Sequence, residues 1–561
     1  MLSLSWYNQA LTGSKNTHSS VLKQKPRTLN CEQKTALEAM RFGTYGCYLL
    51  EGITGSGKTE VYLHAIAQVL QAGQQALVLV PEIGLTPQTV ARFAARFNVT
   101  ITQLHSSVAK GARLENWHAA QTGQARIIIG TRLAVFAPTP NLGIIIVDEE
   151  HDNSFKQQEG FRYNARDLAI LRAKHNNIPL LMGSATPSLE SLSNALSQRY
   201  HHLSITQRAG NAKAPSIERI DMRKQTQHFG MAQASLDAIG ATLARGEQAL
   251  VFINRRGFAP SYLCQSCGWC AACKFCDARM TLHNQPRKLH CHHCGNQSLT
   301  PNACPSCFNP DLVALGQGTE RAEEVLQASF GQYDVVRVDQ DSMQRKHAMA
   351  NLTEQLDQGE PCLLVGTQML AKGHHFPHVT LVVIVDTDQG LMSGDFRGIE
   401  RMGQLIIQVA GRAGRAEKPG KVLIQSYRPE HPMLEKLVTE GYHHFALALL
   451  EERQQSQMPP FSFLAILRAE AKKPESAREL LTQAAKIART SMPPSEICHY
   501  LGPIPAFMER RNDRFRFQLQ MRFNHRQARA SLLAPLIQQI GQLPLSKRVR
   551  WSIDVDPQDM G

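Results

Sequence analysis

Apolar residues in this chain fall into short unbroken runs separated by longer amphipathic stretches. In the first half the runs are Cys47–Leu50, Ala76–Val80, Arg126–Ile129, Ile144–Val147 and Leu180–Met182; in the second they are Ala249–Ile253, Val335–Val338, Cys362–Val365, Leu381–Val385 and Lys421–Ile424. Runs of Val, Ile and Leu without polar interruption suit strands covered on both faces, as in a parallel sheet. Between them, the stretch Glu60–Gln71 sets Val61, Ala65, Ile66, Val69 and Leu70 on one helical face. The alternation predicts two successive α/β domains. Ile128-Ile129-Gly130-Thr131 and Leu364-Val365-Gly366-Thr367 repeat one strand-to-turn pattern, which points to two related lobes. Beyond Pro429 the period changes. Phe515, Phe517, Leu519, Met521 and Phe523 alternate with Arg516, Gln518, Gln520 and Arg522, the pattern of a half-buried strand with a wet, basic outer face. Val549, Trp551, Ile553 and Val555 repeat it. Residues 1–28 are polar and aperiodic. The expected layout is a tail at 1–28, a first lobe at 29–205, a second lobe at 206–263 and 308–430, an inserted module at 264–307 and a C-terminal α+β domain at 431–561.

Composition narrows the function. The 561 residues are enough for several cores, and 61 Lys+Arg against 47 Asp+Glu give a net charge of +14. That excess favours a polyanionic partner, nucleic acid being the commonest. No apolar run approaches the ~18 residues of a membrane span. The opening MLSLSWYNQ lacks the basic-then-apolar pattern of a secretory leader. A cytoplasmic location without a membrane partner is expected. Of 13 cysteines, nine lie between Cys264 and Cys307, a crowding typical of metal sites rather than of a disulfide framework.

Gly52-Ile53-Thr54-Gly55-Ser56-Gly57-Lys58-Thr59 fits G-x-x-x-x-G-K-[ST] and lies between a strand and a helix, as that motif requires. Glycines let the backbone N–H groups turn inward around phosphate oxygens, and the helix N-terminus adds partial positive charge. Lys58 is expected on the β/γ-phosphates of ATP and the Thr59 hydroxyl on Mg²⁺. The run Leu142–Val147 leads into Asp148-Glu149-Glu150-His151. Asp148 is expected to hold Mg²⁺ through water and Glu149 to polarise the attacking water. Gln408-Val409-Ala410-Gly411-Arg412-Ala413-Gly414-Arg415 presents two arginines three residues apart. From the second lobe, Arg412 and Arg415 would reach the γ-phosphate across a cleft and tie nucleotide state to lobe closure.

Cys264/Cys267, Cys273/Cys276, Cys291/Cys294 and Cys304/Cys307 are Cys-x₂-Cys pairs. Four such pairs make two closed Cys₄ sites for structural Zn²⁺. Spacing leaves open which pairs share a metal. Cys270 extends the every-third-residue series from Cys264 to Cys276 and admits other registers. An iron–sulfur run of the form C-x₂-C-x₂-C-x₃-C lacks its final spacer here. His290, His292 and His293 read as surface groups once eight thiolates complete two sites.

These residues together resemble a superfamily 2 helicase: GITGSGKT (52–59), LVLVPEIGLTPQ (77–88), GTR (130–132), DEEH (148–151), GSATPS (183–188), VGTQMLAKGHHFP (365–377) and QVAGRAGR (408–415). Within that superfamily, DEEHD, GSATP, NRRGFAP (254–260), eight cysteines and QMLAKGHHF in series resemble the PriA-type replication restart helicases, also called primosomal protein N′. The resemblance implies two tandem RecA-like lobes and ATP-driven 3′→5′ unwinding of single-strand-bearing and forked DNA at stalled forks. It also implies primosome assembly, loading of the replicative helicase and contact with single-strand DNA-binding protein. It nests the cysteines, with Cys264, Cys267, Cys304 and Cys307 on one zinc and Cys273, Cys276, Cys291 and Cys294 on the other. It makes Gln33 the reader of adenine. It makes the loop 154–163, with Phe155, Lys156, Phe161, Arg162 and Tyr163, an aromatic-rich DNA contact near Glu149. The family's usual N-terminal 3′-end-binding domain and winged helix have no counterpart in residues 1–28. A translocase without strand separation and a primosome scaffold with an idle motor are the competing expectations.

Overall fold

The computed structural model describes residues 20–560 apart from 82–86, 209–213, 229, 254–260, 265–266, 268, 270, 276–279, 285–286, 292–295, 311, 316–318, 339–347, 368–369, 371–375, 377, 386, 394 and 415–417. The first lobe is a seven-stranded sheet in the order Ile101–Leu104, Ile127–Gly130, Gln75–Leu79, Leu142–Asp148, Pro179–Ser184, Gly46–Gly52, His201–Ile205. All its pairings are parallel. The inner strands carry the unbroken apolar runs, so each face of the sheet has its own core. Leu50, Val78 and Ile146 lie in one, and Leu49, Leu77 and Ile145 in the other. The edge strands Ile101–Leu104 and His201–Ile205 alternate buried and open positions; neither was readable as a run.

The second lobe repeats the plan with six parallel strands. Their order is Asp334–Val338, Cys362–Gly366, Gln248–Ile253, Val379–Val385, Lys421–Ser426, Ser216–Asp221. In each sheet the Gly-Thr pattern follows the strand second from one edge. A side chain at Gly130 would run into the Leu104 carbonyl oxygen, and one at Gly366 into the Val338 carbonyl oxygen. The same close approach therefore recurs at the same place in both lobes.

The lobes are not packed as separate bodies. Leu189 and Leu192 sit on helix Leu189–Leu196 of the first lobe. They are buried in the second lobe's core with Phe252, Val382, Ile406 and Phe445. Helices Pro432–Thr439 and Gly441–Gln455 add Leu434, Leu437, Phe445 and Leu449 to that core. The second lobe's packing thus runs past residue 430, the end expected for that lobe. An amphipathic helix looks alike in sequence whichever core it covers.

A buried ionic network crosses the same interface. Arg397 Nη2 lies 2.6 Å from Glu190 Oε1, Arg453 Nη2 lies 2.7 Å from Glu400 Oε2, and Leu189 N–H donates to Glu400 Oε1 at 3.1 Å. Burial pushes the Glu190 carboxyl up, but the Arg397 guanidinium, with Arg453 and Arg166 behind it, holds it down at about 2. Replacing Arg397 by Met should strip a guanidinium from half-buried Glu190 and from buried Glu400 and destabilise the protein by about 3 kcal/mol. Chemical unfolding of the variant checks this, and an unchanged midpoint would refute it.

The Cys-rich module is a five-stranded antiparallel sheet, Gln297–Ser298, Arg287–His290, Thr281–Asn284, Ser261–Cys264, Leu312–Leu315. It is inserted between second-lobe strands Gln248–Ile253 and Asp334–Val338. The C-terminal domain is a four-stranded antiparallel sheet, Cys498–Arg511, Arg514–Phe523, Phe463–Ala471, Arg550–Val555, with helices Pro474–Ser491 and Arg526–Gln542. Phe517, Leu519, Met521 and Phe523 are buried there. The opposite face is less wet than the alternation predicts. Gln518 is buried, and Arg516 folds back to donate to the Met508 carbonyl at 3.4 Å.

Candidate active site

Strand Gly46–Gly52 delivers the phosphate loop and helix Lys58–Gln71 receives it. Gly55 and Gly57 take left-handed φ of 82° and 81°, which turns the loop back over the helix N-terminus. A side chain at Gly52 would stand 2.6 Å from Ser56 Oγ and 3.0 Å from Lys58 Cγ. The hollow therefore exists only because that residue is glycine. Lys58 Nζ donates to the Gly52 carbonyl at 2.6 Å, folded back across the place where phosphate oxygens would lie. Ser56 Oγ is buried without a hydrogen-bond partner among the described residues. Ile53 is exposed, while Thr54 and Thr59 are half-buried. Gln33 donates from Nε2 to the Ser56 carbonyl at 2.8 Å, and its Oε1 accepts the Asn30 N–H at 3.0 Å in a capping box. Gln33 is thus braced directly on the loop.

Asp148 ends strand Leu142–Asp148, next to Gly183 of strand Pro179–Ser184. Tyr62 donates its hydroxyl to Asp148 Oδ1 at 2.9 Å, through the space that any side chain at position 183 would fill. Burial and the neighbouring Glu149 carboxylate raise the Asp148 carboxyl to about 6, against the pull of Lys58 and Tyr62. A carboxylate held so unwillingly is one that a cation would stabilise. Glu149 has φ 48°, and its Oε2 has no hydrogen-bond partner among the described residues. That oxygen stands 3.7 Å from His151 Nδ1; an acidic oxygen without a hydrogen bond fits a water or metal-bound group, and the donor set is the all-oxygen kind that Mg²⁺ takes.

The second lobe closes the cleft. A side chain at Gly411 would collide with Thr54 of the phosphate loop, so the two motifs are in direct contact. Burial lowers the Arg412 guanidinium to about 10, and the facing charge of Glu149 resists that fall. Arg415 lies outside the described residues. His151 spans the lobes: Nδ1 lies 2.7 Å from Ser184 Oγ, and Nε2 lies 2.5 Å from Gln408 Nε2. Glu150 faces away, buried, taking Arg166 Nη1 at 2.9 Å and the Ser188 N–H at 2.7 Å. Tyr62, Gln408 and Glu150 carried no assigned role from sequence. Tyr62 lies four residues after Lys58, on the same helical face, and that spacing was the available signal.

The aromatic-rich loop differs from its expected form. Phe155 is 1% exposed and belongs to the first-lobe core, and Tyr163 is largely buried there too. Lys156 is 5% exposed, its Nζ donating to the Val555 carbonyl at 2.5 Å and standing 3.1 Å from Asp554 Oδ1. Phe155 and Lys156 are therefore turned away from solvent, because the core and a buried carboxylate claim them. Phe161 does reach solvent, 77% exposed, 5.8 Å from the Tyr163 ring, which in turn packs edge-on against Phe136. Arg162 is half-buried beside it.

In the Cys-rich module the Sγ atoms of Cys264, Cys267, Cys304 and Cys307 all lie within 4.8 Å of one another. Cys264 and Cys307 are 3.5 Å apart, and Cys267 and Cys304 3.6 Å. Tetrahedral Zn–S bonds set sulfurs about 3.8 Å apart, so the quartet fits zinc. Ser306 N–H points at Cys304 Sγ at 3.4 Å, as in a metal knuckle. Cys273 and Cys291 are buried in the module's small core, and Cys276 and Cys294 lie outside the described residues.

Comparison with known proteins agrees with this arrangement. Residues 31–195 match the DEAD/DEAH box helicase model and residues 309–417 the helicase conserved C-terminal domain. Residues 273–298 match the PriA DNA helicase Cys-rich region, and residues 454–558 the primosomal protein N C-terminal domain. The chain is 46% identical over 534 residues to the replication restart protein PriA of Haemophilus influenzae, covering 95% of this chain and 73% of that one. The chain belongs to the PriA family of replication restart helicases. A Bacillus subtilis relative of the same name is 37% identical, with 95% of this chain and 67% of that one covered. Among solved structures, RecG bound to a three-way DNA junction is similar at 18% identity and a TM-score of 0.46, over 77% of this chain and 48% of that one. Membership makes this chain an ATP-dependent DNA helicase with a role in replication restart, and the Cys-rich region a zinc ribbon. Among the described residues no helix is long and apolar enough to cross a membrane.

Proposed function

We propose that the chain hydrolyses ATP with Mg²⁺ between its lobes and uses the cycle to move 3′→5′ along one strand, unwinding forked DNA where replication has stopped. The observation that carries this reading is the convergence of Lys58, Asp148 and Glu149 of the first lobe with Arg412 of the second, across the Thr54–Gly411 contact. Lys58 would leave the Gly52 carbonyl for the β/γ-phosphates. Glu149 would orient the attacking water with its Oε2, and Arg412 would meet charge growing on the leaving γ-phosphoryl group. Mg²⁺, held by Thr59 and the Asp148 side, would neutralise phosphate charge when bound. Gln33, braced on Ser56, would read the base, and Arg415 would join Arg412. The Gln408–His151–Ser184 line would carry nucleotide state from one lobe to the other.

On this reading DNA stimulates turnover, with Phe161 and Arg162 meeting the strand and Tyr163 backing Phe161 from beneath. The nested cysteines would hold two zinc ions, one per quartet, as scaffold and docking surface. Partners would include single-strand DNA-binding protein and the primosome and helicase-loading proteins, in the cytoplasm. Forked duplexes with only a 3′ or only a 5′ single-stranded arm test the polarity. ATP-dependent separation restricted to the substrate whose loading strand runs 3′→5′ into the duplex is expected, and the opposite preference would overturn it. ATP turnover without strand separation would favour a translocase that remodels protein–DNA complexes. DNA affinity should fall steeply with salt, by about a hundredfold or more between 50 and 200 mM, if several phosphates are contacted. A flat response in a binding titration would contradict a phosphate-lined path.

A further inference from the structure

The segment leaving the acids is held bond by bond. Asp152 N–H donates to the Glu149 carbonyl at 2.9 Å, Asp152 Oδ1 accepts the Ser154 N–H at 2.8 Å, and Phe155 N–H donates to the Asp152 carbonyl at 3.2 Å. Arg132 of the GTR motif donates from Nη1 to the carbonyls of Ser154 at 3.0 Å and Lys156 at 3.1 Å. Gln157 N–H donates to the Tyr163 carbonyl at 2.8 Å, closing a hairpin whose tip carries Phe161 and Arg162. Few free torsions therefore separate Glu149 from Lys156.

The Lys156 side chain at the far end of this chain of bonds is held by another domain. Both of its partners, Asp554 and the Val555 carbonyl, belong to Arg550–Val555, the last strand of the C-terminal sheet. Asp554 is 1% exposed, and its second oxygen takes Arg468 Nη1 at 2.9 Å. Arg162, from the loop's tip, also lies within the field of Asp554. One buried carboxylate thus ties a first-lobe loop to the C-terminal domain.

We propose that Asp554 is a positioning residue for hydrolysis: by holding Lys156 it makes the C-terminal domain the fixed point against which DNA at the loop tip acts on Glu149. The inference rests on the reading of turnover as DNA-stimulated. A displacement at Phe161 reaches the acids only if the base of the hairpin does not give. Without Asp554, the Lys156 ammonium is left beside one carbonyl in a dry site and is driven toward water, so the base yields. The phosphate loop, the acids and Arg412 keep their own contacts.

The test uses the full chain carrying Asp554→Asn, with ATP turnover measured with and without saturating single-stranded oligonucleotide, and oligonucleotide affinity by fluorescence anisotropy. DNA-independent turnover and affinity should stay within about twofold of the unmodified chain, while the stimulation factor falls about tenfold. Stimulation equal to that of the unmodified chain overturns the proposal. So does a loss cured by more DNA, since Asp554 would then act in binding. If Asp554→Asn does not fold by near-ultraviolet circular dichroism, Lys156→Met, which removes the charge and keeps the bulk, should show the same lost stimulation; full stimulation there is equally fatal. An unmodified chain that DNA does not stimulate would sink the underlying reading, whereas equal stimulation of chain and variant sinks only the anchor.

Discussion

Glutamine at position 149 should leave ATP binding within a few-fold of normal and lower steady-state turnover by about a hundredfold to ten-thousandfold. The side chain keeps its shape and its place after strand Leu142–Asp148, but the amide no longer carries the charge that draws a proton from water. Its Oε2 makes no hydrogen bond to the described residues and stands 3.7 Å from His151 Nδ1, a distance the neutral amide can keep, so the loss reads as chemistry. Removing the negative charge also lets the Asp148 carboxyl, which Glu149 helps to raise, ionise more readily. Equilibrium binding of a fluorescent ATP analogue alongside phosphate release checks both halves. Turnover within about threefold of normal would remove Glu149 from the water's path.

Serine at position 304 should cost the module its first metal and much of its order. Cys304 is a buried member of the quartet, 3.6 Å from Cys267 and with the Ser306 N–H directed at its sulfur. The small core of Tyr262, Met280, Leu282 and Leu289 has little else to hold it. Structural zinc contributes on the order of 10 kcal/mol to domains of this kind. Metal analysis of the purified variant should show about one zinc fewer per chain, and proteolysis should cut between 261 and 315 much faster than in the unmodified protein. An unchanged metal count would mean that a different set of thiolates closes the site. ATP turnover without DNA should be little affected, because no quartet sulfur contacts the nucleotide loop among the contacts described.

What the chain's pattern made legible follows from how each element is buried. The inner strands of both sheets are covered on two faces, so Ile144–Val147 and Leu381–Val385 appear as unbroken apolar runs. The edge strands Ile101–Leu104, His201–Ile205 and Ser216–Asp221 are half-covered, and their alternation is too short and weak to stand out from a loop. The phosphate loop was readable because its glycines and lysine are adjacent in the chain. The partner of Asp148 was not, because Tyr62 reaches it only after folding brings Gly183 alongside. Lys156 is the instructive failure. A lysine between aromatics looks like a phosphate contact, and nothing local reveals a carboxylate 398 residues later in the chain, Asp554, that buries it. The ionic network of Glu190, Arg397, Glu400 and Arg453 was invisible for the same reason.

Leu189 and Leu192 belong to one lobe by chain and to the other by packing. They act as a dowel: the sheets can pivot about this helix far more cheaply than they can part, since parting would wet both leucines and the socket that receives them. A fragment cut after the first sheet would carry that dowel bare, and self-association through it is the expected fate of such a truncation.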